Sequence, residues 1–142
     1  MSELQIIEFI RESNYIERIY RDGTDIEIEE FKRFLSLPSV SIEDLQKFVS
    51  VYQPDAQLRD KYDLNVRVGN YYPPFGNPNM IDKLNDIIKS ENSAYVLHIN
   101  YEKLHPFTDC NGRSGRALWA WKMKSFEGSF LLNFYFQTLQ SK

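Results

Sequence analysis

His105-Pro106-Phe107-Thr108-Asp109-Cys110-Asn111-Gly112-Arg113, continued by Ser114-Gly115-Arg116, lies between two stretches of helical character. Upstream, Ala94, Leu97, His98, Tyr101 and Leu104 recur at i, i+3, i+4, i+7 and i+10, which predicts a helix over Ala94 to Leu104 with one buried face. Pro106 disfavours α geometry at His105, so that helix ends there. Downstream, a second helix is expected to begin at or just after Gly112. It carries Leu118, Trp119, Trp121 and Met123 toward Phe126 and loosens at Gly128. This helix-loop-helix, together with the helices read along the rest of the chain, sets the expectation for a mainly α, compact helical domain.

Working outward, residues 4–21 carry apolar positions at roughly helical spacing, interrupted near Ser13-Asn14. They read as one amphipathic helix or two short ones, with Ser13 as N-cap of the second; in a continuous helix Ser13 and Glu17 share a face. Arg21 to Thr24 reads as a turn, and Ile28 to Leu37 as a short helix ended by Pro38. Ser41 and Asp44 resemble a capping box opening a helix that stops before Pro54. Leu64 to Val68 alternates apolar and polar residues, Gly69-Asn70 supplies a turn, and Tyr71-Tyr72-Pro73-Pro74 follows. That pattern predicts a small β-hairpin or extended flap over 64–72, barred from further strand pairing by the prolines. Helices are expected over Met80 to Lys89 and, at the end of the chain, over Phe130 to Leu139. No repeat or linker divides the sequence, so residues 1–142 are expected to form a single domain.

The 142 residues are 42% hydrophobic and 26% charged, ordinary for a globular domain, and nine Tyr with ten Phe predict an aromatic-rich core. The net charge of −3 argues against a nucleic-acid binder, which would carry a basic face. A lone Cys110 permits no internal disulfide and fits a reducing compartment. No apolar run approaches the ~20 residues that span a bilayer, and the N-terminus has no secretory pattern. A cytoplasmic protein without membrane contact is the expectation.

The loop gathers complementary chemistry. His105, beyond the helix end, can accept a hydroxyl proton near neutral pH. Asp109 is a hard oxygen ligand suited to Mg²⁺, an ion normally shared with substrate phosphates. Asn111 and the amides around Gly112 can donate to phosphoryl oxygens at a helix start. Arg113 and Arg116, three apart on the next helix, can face one anion. A base, a metal ligand and a polyphosphate clamp point to phosphoryl-type transfer to a hydroxyl.

This stretch closely resembles the signature of the Fic family of nucleotidyl transferases, His-Pro-Phe-x-(Asp/Glu)-Gly-Asn-(Gly/Lys)-Arg-x-x-Arg. Upstream, Val66 to Pro74 looks like the family's flap. The resemblance implies a protein adenylyltransferase that moves AMP from ATP to a Ser, Thr or Tyr hydroxyl of a target protein or of the chain itself. His105 would deprotonate the acceptor and Asp109 would hold Mg²⁺. Asn111, Gly112, Arg113 and Arg116 would bind the phosphates, while Val66, Arg67, Val68 and Tyr71 would dock the target. Ser13-Asn-Tyr-Ile-Glu17 resembles the family's inhibitory helix, a pattern fixed by Ser13 and Glu17, and this implies that Glu17 pairs with Arg116 and restrains the enzyme. Arg18 stands where that pattern has Gly or Asn.

The signature's first glycine is Cys110 here. If that position needs positive φ, a Cβ costs about 1 kcal/mol or more. The departure keeps open a weakened module that binds nucleotide or a partner without turnover. Other chemistries in the family include UMP transfer, phosphorylation, phosphocholine transfer, and AMP removal with Glu17 activating water. A zinc site built from His98, His105, Asp109 and Cys110 is the remaining alternative, although it leaves both arginines unexplained.

Overall fold

The computed structural model describes residues 2–124; the expected helix over Phe130 to Leu139 lies outside them. The described residues form helices α1 (Glu3–Ile16), α2 (Asp25–Leu35), α3 (Ile42–Tyr52), α4 (Met80–Ile88), α5 (Ala94–Leu104) and α6 (Asn111–Met123). None is long and apolar enough to cross a membrane.

Local chemistry accounts for most of the boundaries. Ser41 and Asp44 cap α3 reciprocally, each side chain bonding the other's backbone N–H. Ser2 with Gln5 and Thr24 with Glu27 do the same for α1 and α2. The Thr24–Glu27 box starts α2 three residues before the expected Ile28. α1 runs unbroken through Ser13 and Asn14, so Ser13 is a buried mid-helix residue and not the N-cap of a second piece. Glu17 is the C-cap of α1, and Arg18 follows at φ 61°.

The expected β-hairpin does not form, and the described residues contain no named strand. Residues 64–74 make an extended loop closed by a single antiparallel bridge, in which the amides of Val68 and Tyr71 each donate to the other's carbonyl at 2.9 and 2.8 Å. Proline explains why the ladder stops there. The next hydrogen-bonded pair would be Val66 with Pro73, and Pro73 has no N–H to give. Asn65 instead turns its side-chain oxygen to the amide of Gly76.

α5 packs on α6, α2 on α3, and α1 reaches both α2 and α6. The core is aromatic, as the composition suggests. Phe48 lies 5.3 Å from Phe34 and stacks at 4.3 Å on Tyr52, and Phe31 links Phe48 to Phe9. Burying such rings contributes about 1.5–3 kcal/mol each, enough to fix the helices that frame the motif loop. Phe107 and Cys110 of the loop belong to this same core. A second bridge, Leu58 with Phe107, laces the motif loop to the segment after α3. There the Arg59 amide donates to the Pro106 carbonyl at 2.8 Å, and the Thr108 amide to the Gln57 carbonyl at 2.8 Å.

Candidate active site

α5 ends at Leu104, and His105 takes a left-handed backbone, φ 52° and ψ 62°, that turns the chain off the helix axis. Its Nδ1 lies 3.1 Å from the Glu102 carbonyl. A carbonyl can only accept, so Nδ1 carries the proton and Nε2 keeps its lone pair. Burial holds the imidazole below its ordinary pKa of 6.5, with the nearby Arg59 cation acting in the same direction. His105 is therefore neutral at pH 7, the form that accepts a proton.

The turn from His105 to α6 is braced from within. Asn111 receives the Phe107 amide on Oδ1 at 2.9 Å and donates Nδ2 to the Phe107 carbonyl at 2.8 Å. Asp109 accepts the Cys110 amide on Oδ1 at 2.7 Å, and among the described residues its other carboxylate oxygen has no backbone partner. Cys110 precedes α6 at φ 68°, the left-handed conformation for which glycine is favoured. Its side chain is buried in the core, and burial pushes the thiol up to about 12, so it remains protonated and unreactive. The cost of the cysteine is thus backbone strain of about 1–2 kcal/mol, met by packing of its sulfur.

Helix α6 begins at Asn111, one residue before the expected start. Arg116, fully buried, donates Nε to Ser13 Oγ at 2.7 Å, and Nη2 to the Ser13 carbonyl at 3.0 Å and to Glu17 Oε1 at 2.9 Å. The Glu17 carboxylate also lies against Gly112, where an added Cβ would collide with it. An internal carboxylate thus occupies the positive end of α6. Arg113 is buried too, its Nη2 3.4 Å from Gln53 Oε1. Arg113 Nε and Arg116 Nη1 are buried and have no hydrogen-bond acceptor among the described residues.

A cavity of about 310 Å³ brings the pieces together. His105, Asp109, Asn111 and Gly112 of the motif loop line it together with Val66, Arg67 and Val68 of the flap and with Glu17 at the end of α1. Arg113, Arg116, Ser13 and Tyr71 are not among the lining residues; the Tyr71 hydroxyl donates to the Lys103 carbonyl at 2.7 Å. Asn111, expected at a phosphate, has its amide closed on the loop itself.

The zinc alternative finds no support, because no cluster of three or more metal-ligating side chains occurs among the described residues. His98 is buried in the interior, where burial pushes its imidazole down to about 3. Two buried residues of the site went unnoticed in the sequence. Glu102 lines the cavity three residues before His105, its carboxyl raised to about 8 by burial. Its place four residues after His98 on one helix face was the available signal. Arg59 gave none, since it lies in a stretch without periodicity.

Residues 40–122 match the model of the Fic/DOC family. The chain belongs to that family. No curated protein and no solved structure matches it. The matched span runs from the start of α3 through the flap and the motif loop into α6. Glu17 and Ser13 lie before it, and their approach to Arg116 rests on the geometry given above.

Proposed function

We propose that this Fic/DOC chain is a protein adenylyltransferase restrained by its own first helix. Family membership supports nucleotide transfer as the class of reaction, and one observation carries the restraint. The Glu17 carboxylate sits against Gly112 and pairs with the buried Arg116 at 2.9 Å, in the position that an anionic ligand of this helix start would need.

In this reading the acceptor hydroxyl gives its proton to Nε2 of His105 as its oxygen attacks the α-phosphorus of ATP. The bond from that phosphorus to the bridging oxygen breaks and pyrophosphate leaves, so atoms and charge balance. The amides at the start of α6 orient the phosphates. Nε of Arg113 and Nη1 of Arg116, without an acceptor among the described residues, provide buried donors for phosphoryl oxygens once Glu17 withdraws. Asp109 would hold Mg²⁺ in the one-carboxylate mode, through the carboxylate oxygen that Cys110 does not engage. When bound, the ion neutralises phosphate charge. The extended edge at Val66 to Val68, which lines the same cavity as His105, suits a target segment that pairs by its backbone.

Glu17→Gly incubated with Mg²⁺ and ATP, labelled at either the α- or the γ-phosphate, tests the reaction. The reading expects covalent label from the α-position alone. Label from the γ-position would make the chain a kinase, and nucleotide binding without covalent label would make it a binding module.

A further inference from the structure

Arg59 belongs neither to the motif loop nor to the contact of α1 with α6, yet it is fully buried and its guanidinium is spent on main-chain carbonyls. Nε donates to His105 at 2.6 Å and Nη2 to Leu104 at 2.8 Å. Nη1 donates to Leu64 at 3.2 Å and to Pro74 at 2.9 Å. No carboxylate pairs with it among the described residues. A buried cation without a counter-charge is a costly way to fill space, and an apolar side chain would pack there more cheaply.

The four carbonyls explain the choice. Leu104 and His105 are the exit of α5, where His105 is held in its left-handed backbone. Leu64 and Pro74 are the two ends of the flap. Arg59 also donates its own amide to Pro106 and accepts the Asn77 amide, so its main chain ties the same two regions. We propose that Arg59 is a positioning residue that fixes the flap relative to His105, and so sets where a docked acceptor hydroxyl lies with respect to Nε2. A planar guanidinium with five N–H donors reaches four acceptors at once, whereas a lysine ammonium has three donors on one atom. None of its hydrogen bonds goes to Asp109, Asn111, Gly112, Arg113 or Arg116. Its loss therefore disturbs the acceptor side of the site and leaves the nucleotide side in place. The catalytic consequence rests on the transferase reading; the mechanical coupling does not.

Arg59→Lys and Arg59→Met, each in the Glu17→Gly background, separate these roles. Covalent AMP transfer is expected to fall at least about tenfold, while affinity for a non-hydrolysable ATP analogue with Mg²⁺, measured by calorimetry, stays within about twofold. Hydrogen–deuterium exchange is expected to quicken together in segments 64–74 and 104–108, with α2 and α3 still protected. Transfer and exchange unchanged in Arg59→Lys would overturn the proposal, as would transfer and nucleotide affinity falling in parallel. If Arg59→Met does not fold, Arg59→Lys carries the test alone. If Glu17→Gly itself transfers nothing, the transferase reading has failed and the exchange arm decides: joint loosening supports the coupling, and loosening of one segment without the other refutes it.

Discussion

The motif loop and the flap line one cavity but are held in opposite ways. The loop is braced by the two Asn111 bonds to Phe107, by the lacing of Gln57 and Arg59 to residues 106–108, and by Phe107 and Cys110 in the core. The flap has the Val68–Tyr71 bridge, an exposed Gly69-Asn70 tip and anchors at its ends. Under the proposed reading the contrast suits a site whose chemistry is held rigid and whose docking edge can adapt.

Removing the base breaks the rigid side most sharply. In a Glu17→Gly background, His105→Ala is expected to lower AMP transfer by about 10²–10⁴-fold in a label-incorporation assay, the range for loss of a positioned general base. The pH profile of the parent supplies the sign. If His105 is the base, as proposed, its neutral form is the active one, and since burial lowers its pKa below 6.5 the acid limb of the rate is expected only below that pH. An acid limb above it would contradict the buried, neutral imidazole.

Asn111→Ala tests the brace itself. It leaves the buried N–H and C=O of Phe107 unpaired, at about 1–3 kcal/mol for each group. The melting temperature should drop by several degrees, at about 2–4 °C per kcal/mol for a chain of this size. An unchanged melting temperature would mean that the loop does not depend on that ring of bonds.

This loop was also the most legible part of the sequence. Pro106 marked the end of α5, and one turn and one helix carry His105, Asp109, Arg113 and Arg116, so their spacing in sequence translates directly into position. What escaped were bonds made at long range. Arg59 and Gln57 pair with the loop through main-chain groups, which leave no periodicity in the residues that supply them. Asn111 closes its own turn on Phe107, a bond that sequence does not show, because a short amide can face a ligand or its own loop and composition does not choose between them. In the flap, alternation suggested a ladder that the missing N–H of Pro73 forbids. Ser13 and Glu17 were placed one helical turn apart correctly; their meeting with Arg116, 103 and 99 residues away, is a tertiary fact.

Glu102 gives a pH test of the wall between loop and helix. Burial raises its carboxyl from an ordinary 4.5 to about 8, so between those values the folded protein holds a proton that the unfolded chain releases. The stability linked to it is full below pH 4.5 and is lost as pH rises toward 8. Denaturant titrations of Glu102→Gln should show a flatter dependence than the parent between those values. The same slope in both would place the proton elsewhere.

The smallest effect belongs to the flap tip. Gly69 has φ 58°, and an added Cβ would meet nothing within 4 Å. Gly69→Ala should therefore cost only the left-handed conformation, about 1–2 kcal/mol, with no loss of nucleotide binding. A loss as large as that of Asn111→Ala would erase the contrast between the two regions.

The central claim is that a carboxylate from α1 holds the phosphate end of a competent transferase shut. Intact-mass measurement of wild type and Glu17→Gly, side by side with ATP and Mg²⁺, tests it most directly. The account predicts a mass increase of one adenylyl group in Glu17→Gly, at a rate at least about tenfold above wild type, within the range of a regulatory coupling of 1–3 kcal/mol. Equal modification of the two proteins, or none in a folded Glu17→Gly, would contradict it.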